Sequence, residues 1–235
     1  FKQKTAYEIS LGLVGSEMCI RDRPPAGPVN PREASDAIRS WLDSERLEAR
    51  EVPDPQAIMH LHVRYPPTKQ GHLFNVVIPK KRNLILVYSI TRVDEGQQQS
   101  MRKLSSEDPE GWEAWLHDTR INMTSSDLDW VLHVGRSKEE NSGPLQAFNL
   151  SRPVWFDGLT QNEFMHSMRR VWLTKLSLIH QIKYGFGPGI GKPGPVDDWS
   201  DKSRKARGSS HPRTSEIDTD ETGGFGKDFD PLDWV

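Results

Sequence analysis

The sequence predicts an α+β fold: an antiparallel sheet of about five strands flanked by helices, in the order α-βββ-α-ββ-α, followed by a disordered C-terminal tail. Three observations carry that expectation. Several short runs alternate apolar and polar residues with the period of half-buried strands. Other runs repeat apolar residues at helical spacing behind recognisable caps. Past residue 184 the composition turns to glycine, proline and charge, and such a segment cannot bury enough apolar surface to offset the entropy of ordering it.

Asn30, Pro31 and Glu33 make a helix start: a capping side chain, a proline where no amide partner is needed, and a glutamate placed to reach back. Ala34, Ala37, Ile38, Trp41 and Leu42 follow at helical spacing. The helix should end before Pro53. Met59, Leu61, Val63 and Tyr65 then alternate with His60, His62 and Arg64, and after a turn at 66–71 the residues Phe74, Val76 and Ile78 alternate again. The two runs read as a hairpin. Pairing Tyr65 with His72 sets Val63 opposite Phe74 and Leu61 opposite Val76, which keeps the apolar residues on one side. His72 then lies on the core side, with His60 and His62 on the other.

Residues 84–90 are apolar on both faces and suit a central strand. A short helix at 96–104 and a longer one from 106 to about 120, with Trp112, Trp115 and Leu116 on one side, make the next helical segment. Leu128, Trp130, Leu132 and Val134 alternate as a fourth strand, and 145–156 is a fifth, in which Pro153 should mark an edge or bulge. A last helix begins at Thr160 with Glu163 completing its cap, and runs to about residue 184 through Phe164, Met168, Val171, Trp172, Leu176 and Ile179. The expected organisation is a flexible lead-in at 24–30, one globular domain at 31–184 and a disordered tail at 185–235.

Residues 1–23 resemble translated sequencing-adapter DNA. The codons AAG CAG AAG ACG GCA TAC GAG encode Lys2 through Glu8, and CTC GTG GGC TCG GAG ATG TGT ATA AGA GAC encode Leu13 through Asp22. Such a segment carries no information about the fold. Its Glu8, Gly12, Gly15 and Glu17 also interrupt every apolar run that a secretory signal would need. Setting it aside removes Cys19, the one cysteine of the chain, and with it disulfides and thiol nucleophiles. It also removes four basic residues (Lys2, Lys4, Arg21, Arg23) and three acidic ones (Glu8, Glu17, Asp22), so the charge stays near neutral and favours neither nucleic acid nor membrane as partner. The localisation expected by default is cytoplasmic.

Four strings add a family resemblance: EVPDP at 51–55, VRYPP at 63–67, FDGLT at 156–160 and MRRV at 168–171. Together with the element order, they resemble an archaeal family of uncharacterised proteins, domain of unknown function 2299, with the type III secretion chaperone-like fold. The resemblance spans about residues 31–184. It implies a curved sheet flanked by helices, in a superfamily whose members bind peptide segments of partner proteins, often as dimers. It carries no catalytic residues.

The residues themselves offer little chemistry. His60 and His62 share a strand face but lack a convergent third ligand, so a polar outer face is expected rather than a metal site. GIGKPG at 189–194 fits the glycine spacing of a dinucleotide loop, but a helix precedes it and Pro193 and Pro195 follow, so it reads as a linker. No GxSxG elbow is present, and Glu107, Asp108 and Glu110 read as helix-start carboxylates. The terminus is more specific. Asp228, Phe229, Asp230, Leu232, Asp233, Trp234 and Val235 alternate acids with apolar anchors, the pattern of a short segment that docks in a partner's apolar groove. The expectation is therefore a non-enzymatic protein-binding module, chaperone-like or adaptor, without cofactor or metal, which recruits an unknown protein through its tail and could form a homodimer. The alternatives are a nucleic-acid factor using Lys202, Arg204, Lys205 and Arg207 with Arg169, Arg170 and Lys175, and, last, a hydrolase.

Overall fold

In the expected hairpin, Tyr65 pairs with His72, Val63 with Phe74 and Leu61 with Val76, and the chain adopts this register. The computed structural model describes residues 27–28, 30–68, 71–136 and 142–197. Helix α1 (Pro31–Ser44) precedes strands β1 (Ala49–Glu51), β2 (Ala57–Tyr65), β3 (His72–Pro79) and β4 (Leu84–Arg92). Helices α2 (Glu95–Glu107) and α3 (Pro109–Thr124) lead to β5 (Asp129–Arg136) and β6 (Ser142–Trp155), and a 3-10 turn (Phe156–Gly158) leads to α4 (Gln161–Phe186). The strands form one antiparallel sheet in the order β1-β2-β3-β4-β6-β5.

The α+β class is as expected, with one strand more. β1 is three residues long and wholly exposed, so it has no burial pattern to read; backbone pairing of Ala49 with Val63 and Glu51 with Leu61 holds it at the edge. Between β4 and β5 the chain breaks into two helices because Asp108 caps the second, accepting from the Gly111 amide at 3.0 Å, and Pro109 fills the first helical position. The cap at α1 is reciprocal: Asn30 Oδ1 accepts from the Glu33 amide at 3.0 Å and its Nδ2 donates to the Glu33 carboxylate at 2.7 Å. Pro153 sits inside β6, between two strands, yet β5 pairs no further along β6 than Ser151. The Phe156 amide donates toward β4, to the Asn83 carbonyl. By strand alternation the Pro153 nitrogen therefore faces the other way, into the space beyond β5, where no ladder bond is lost.

The registers put Leu61, Val63, Phe74, Val76, Ile78, Ile85, Val87, Phe148 and Leu150 on one face of the sheet. All are buried, and they share a core with Ala34, Ile38 and Leu42 of α1, Met101 of α2, Trp112 and Leu116 of α3, and Phe164, Met168, Val171 and Ile179 of α4. Lys175 of α4 is drawn into this layer, fully buried, with Nζ 3.1 Å from Ser89 Oγ on β4 and 5.7 Å from the centre of the Phe74 ring.

The chain does not leave the domain at residue 184. Gly187 ends α4 with φ of 85°, and the strap that follows is bound as far as Asp197. Its centre is Asp94, which caps α2 from a fully buried position. The Asp94 carboxylate accepts from the amides of Gly96 at 2.8 Å, Gln97 at 3.4 Å, Ile190 at 2.9 Å and Lys192 at 2.9 Å. The GIGKPG string is thus a nest of backbone N–H groups closed on the chain's own carboxylate. Gly189, with φ of 79°, admits no side chain because a Cβ would stand 2.6 Å from Asp94 Cγ. Gln98 and Arg92 extend the clamp by donating to the carbonyls of Pro195 and Gly194. The sequence-based boundary at 184/185 therefore moves outward, since a motif that reads as a linker is tied down by a residue far away in the chain. The segments 1–23 and 228–235 lie outside the described residues.

Burial alone would push the Asp94 carboxyl up, but the four backbone amides outweigh it and hold it below the ordinary carboxylate value. A carboxyl depressed on folding stabilises the fold above its unfolded pKa, about 3.9, and that contribution is lost as pH falls through the folded value. The Asp94→Ala variant is expected to lose about 1–3 kcal/mol at neutral pH. The gap from wild type should narrow at about pH 3. Urea unfolding at both pH values measures it, and a gap of equal size at the two would contradict the assignment.

Candidate functional site

The other face of the sheet carries Ile58, His60, His62 and Arg64 from β2, Asn75 and Val77 from β3, Leu86, Tyr88 and Ile90 from β4, Asn149 and Trp155 from β6, and Val131 and His133 from β5. None of these side chains belongs to the core shared with the helices. Among the described residues, the helices pack on the opposite face, and this one is left open except at the Arg92 end, where the strap crosses it and Ala147 is buried. Ile58 is 45% exposed, Val131 49% and Trp155 58%, a scale of apolar exposure that marks interaction surfaces when the residues are contiguous.

A polar cluster sits within that face. The turn at 53–56 brings Asp54 to the sheet: its Oδ1 accepts from the Gln56 amide at 2.9 Å and its Oδ2 lies 3.1 Å from His60 Nδ1. His60 Nε2 is 2.9 Å from Asn75 Oδ1 on the neighbouring strand. The His62 ring meets His60 edge-on at 5.5 Å, and Tyr88 lies 6.5 Å away. Burial pushes the Tyr88 phenol above its ordinary value, and the nearby Asp54 carboxylate adds to the shift. Both nitrogens of His60 are engaged, and neither touches a hydroxyl or a thiol, so the cluster locks a ring in place rather than preparing a nucleophile. Among the described residues no group of three or more His, Cys, Asp or Glu side chains converges as a metal site.

The sequence-expected positions divide clearly. His60 and His62 lie together on the open face and His72 is buried on the core side, as the register requires. Of the basic residues put forward for nucleic acid on the last helix, Lys175 is fully buried and Arg170 Nη1 is paired with Asp127 at 2.6 Å. Arg169 is exposed, and the Arg170 side chain is 39% exposed. That set therefore cannot act together on phosphates, because helical periodicity turns Lys175 into the core. Lys202, Arg204, Lys205 and Arg207, together with Asp228, Phe229, Asp230, Leu232, Asp233, Trp234 and Val235, lie outside the described residues. The open face itself was missed as a site, although the alternation of Val77, Leu86 and Val131 with core residues was a signal for it.

A family model described as an uncharacterized conserved protein, DUF2299, matches residues 34–182. The chain belongs to this family. Its matched span begins inside α1 and ends inside α4, so it takes in the sheet and most of the helical layer, and the strap lies beyond the matched residues. An uncharacterized protein from Methanothermobacter thermautotrophicus, known from a crystal structure, is 28% identical, with 66% of this chain and 99% of that chain covered and a TM-score of 0.56. YbjN, a proposed transcription regulator from E. coli, is 16% identical over 63% of this chain and 93% of its own, with a TM-score of 0.34, too low to support any argument. No curated protein matches the chain. No helix among the described residues is long and apolar enough to cross a membrane.

Adjacent residues on β3 should separate the two faces. Val76→Asp, which buries an unpaired charge in the core, is expected to abolish the cooperative unfolding transition. Val77→Asp, at a half-buried position of an inner strand, is expected to lose only about 1–2 kcal/mol and to keep a cooperative transition. Thermal unfolding followed by circular dichroism decides, and comparable losses at both positions would mean that the second face is covered too.

Proposed function

We propose that this protein is a non-enzymatic protein-binding module, adaptor-like or chaperone-like in role, that takes an extended acidic and apolar segment of a partner protein on the open face of its sheet. The observation that carries the reading is the one-sided burial of the sheet, which leaves apolar side chains of five strands facing outward beside Arg50 and Arg64. Val77, Leu86, Ile90 and Val131 supply apolar area, and Trp155 and Tyr88 supply aromatic anchors of the kind enriched at binding hot spots. Arg50 and Arg64 stand beside them at the β1–β2 border, where they favour acidic groups on a partner. His60 on this face has both ring nitrogens occupied, which supports binding over catalysis. The terminal motif at 228–235 has the same acidic and apolar chemistry, and is the segment through which this chain would itself recruit a partner.

Affinity purification from the native host tests the reading when wild type is compared with Val77→Asp and Val131→Asp. One partner, identified by mass spectrometry, should be lost from both variants while both keep a cooperative unfolding transition well above the assay temperature. Undiminished capture by two folded face variants would contradict the proposal.

A further inference from the structure

We infer that β5 pairs with β5 of a second copy of this chain about a two-fold axis at Val131, so that two sheets join edge to edge and their open faces become one surface. The inference goes beyond the proposed function, because it assigns a second interface and the residues that the other copy adds to the face. Three observations lead to it.

The first is an unused row of backbone groups. β5 is the last strand of the sheet and is held by β6 alone. In β6 the Phe156 amide donates to the Asn83 carbonyl, and the Gln146 carbonyl accepts from the Val93 amide. Even-numbered residues of β6 therefore turn their backbone groups toward β4, and Ala147, Asn149 and Ser151 turn theirs toward His133, Val131 and Asp129 of β5. The N–H and C=O groups of Trp130 and Leu132 are left pointing away from the sheet. Among the described residues, no backbone group of another segment meets them.

The second is the lack of protection. Exposed edges are ordinarily blunted by proline, by lysine, by a bulge or by a covering segment. The run from Asp129 to His133 contains neither proline nor lysine, and the irregularities of the β5–β6 ladder begin only after His133. The strap approaches β5 at Gly135, beyond this run. Val131, at its middle, is among the most exposed apolar residues of the open face.

The third is that the run complements itself. Centring an antiparallel pair on Val131 sets Trp130 opposite the partner's Leu132 and Leu132 opposite the partner's Trp130, and each pair exchanges two hydrogen bonds. An aromatic side chain then lies across from an aliphatic one on the helical side, twice. Val131 meets the partner's Val131 at a non-hydrogen-bonded position, where Cα atoms approach to about 4.5 Å. Asp129 lies opposite the partner's His133, and an imidazole N–H donates to a carboxylate whether or not the ring is charged. Arg136 falls opposite the partner's Ser126, so no like charges face each other. Centring on Leu132 instead draws in Val134, where the ladder is already irregular, and leaves Asp129 opposite Gly135. A single pair of strands buries less than a permanent interface does, so the association is reversible and depends on concentration.

Site-directed disulfide formation tests the inference in the full-length chain carrying Cys19→Ser. Val131→Cys should link to itself under mild oxidation roughly tenfold faster than Asp129→Cys, which is exposed on the same face of the same strand. A mixture of Asp129→Cys and His133→Cys should form the mixed dimer in preference to either self-linked one. Sedimentation of the wild-type chain should show a monomer–dimer equilibrium, and Val131→Arg, which sets like charges against each other on the axis, should shift it to monomer. Equal rates at 131 and 129, or a wild-type chain that stays monomeric over the concentrations used for cross-linking, would overturn the inference. So would self-linking led by His133→Cys, which would mean another register. Val77→Asp lies on β3, with β4 and β6 between it and β5, and should lose partner capture with the dimer unchanged. Failure of the dimer and failure of the face as a binding surface are thus read separately.

Discussion

Successive side chains of a strand point to opposite faces, so the pairing of Tyr65 with His72 decides at once which residues of β2 and β3 reach the core. A slip of one residue would exchange Leu61, Val63, Phe74 and Val76 for His60, His62, Leu73 and Asn75. That register is carried across the sheet by Val76 opposite Val87, Ser89 opposite Leu150 and Trp130 opposite Leu150. Each helix then buries its apolar stripe against the same side. The open face is the remainder of that choice.

A second constraint works at the end of the domain. Asp94 spends its carboxylate on two amides of α2 and two of the strap, joining positions nearly one hundred residues apart. A buried carboxylate is costly unless its lone pairs are filled, and here backbone N–H groups fill them. The glycines of 189–194 make the approach possible, so the same spacing that suggests a nucleotide loop serves an internal anion. The family match ends at 182, inside α4. The strap lies beyond that match.

Much of the fold was legible because it rests on local rules. The caps at Asn30 and Thr160, the hairpin register and the central position of β4 all follow from residue type and period. The features that escaped depend on distant partners or on too few residues. β1 is three exposed residues long and is visible only through its pairing with β2. The strap reads as a linker because Asp94, which binds it, lies elsewhere in the sequence. Lys175 reads as a surface base until the turn of α4 places it under Ser89. For the site, the histidines fell on the face the register assigned, but their engagement with Asp54 and Asn75 joins a turn to two strands and has no signature along the chain.

The account stands or falls on whether the open face selects acidic and apolar segments. Chemical-shift mapping answers this directly: a peptide of residues 228–235 is titrated into the isotopically labelled chain carrying the alanine substitutions at 229, 232 and 234, beside a peptide of scrambled order. The account predicts saturable shifts that cluster at Val77, Leu86, Tyr88 and Val131, weaken with added salt and are far smaller for the scrambled peptide. Shifts spread over the helical side, or no shifts at millimolar peptide, would contradict it.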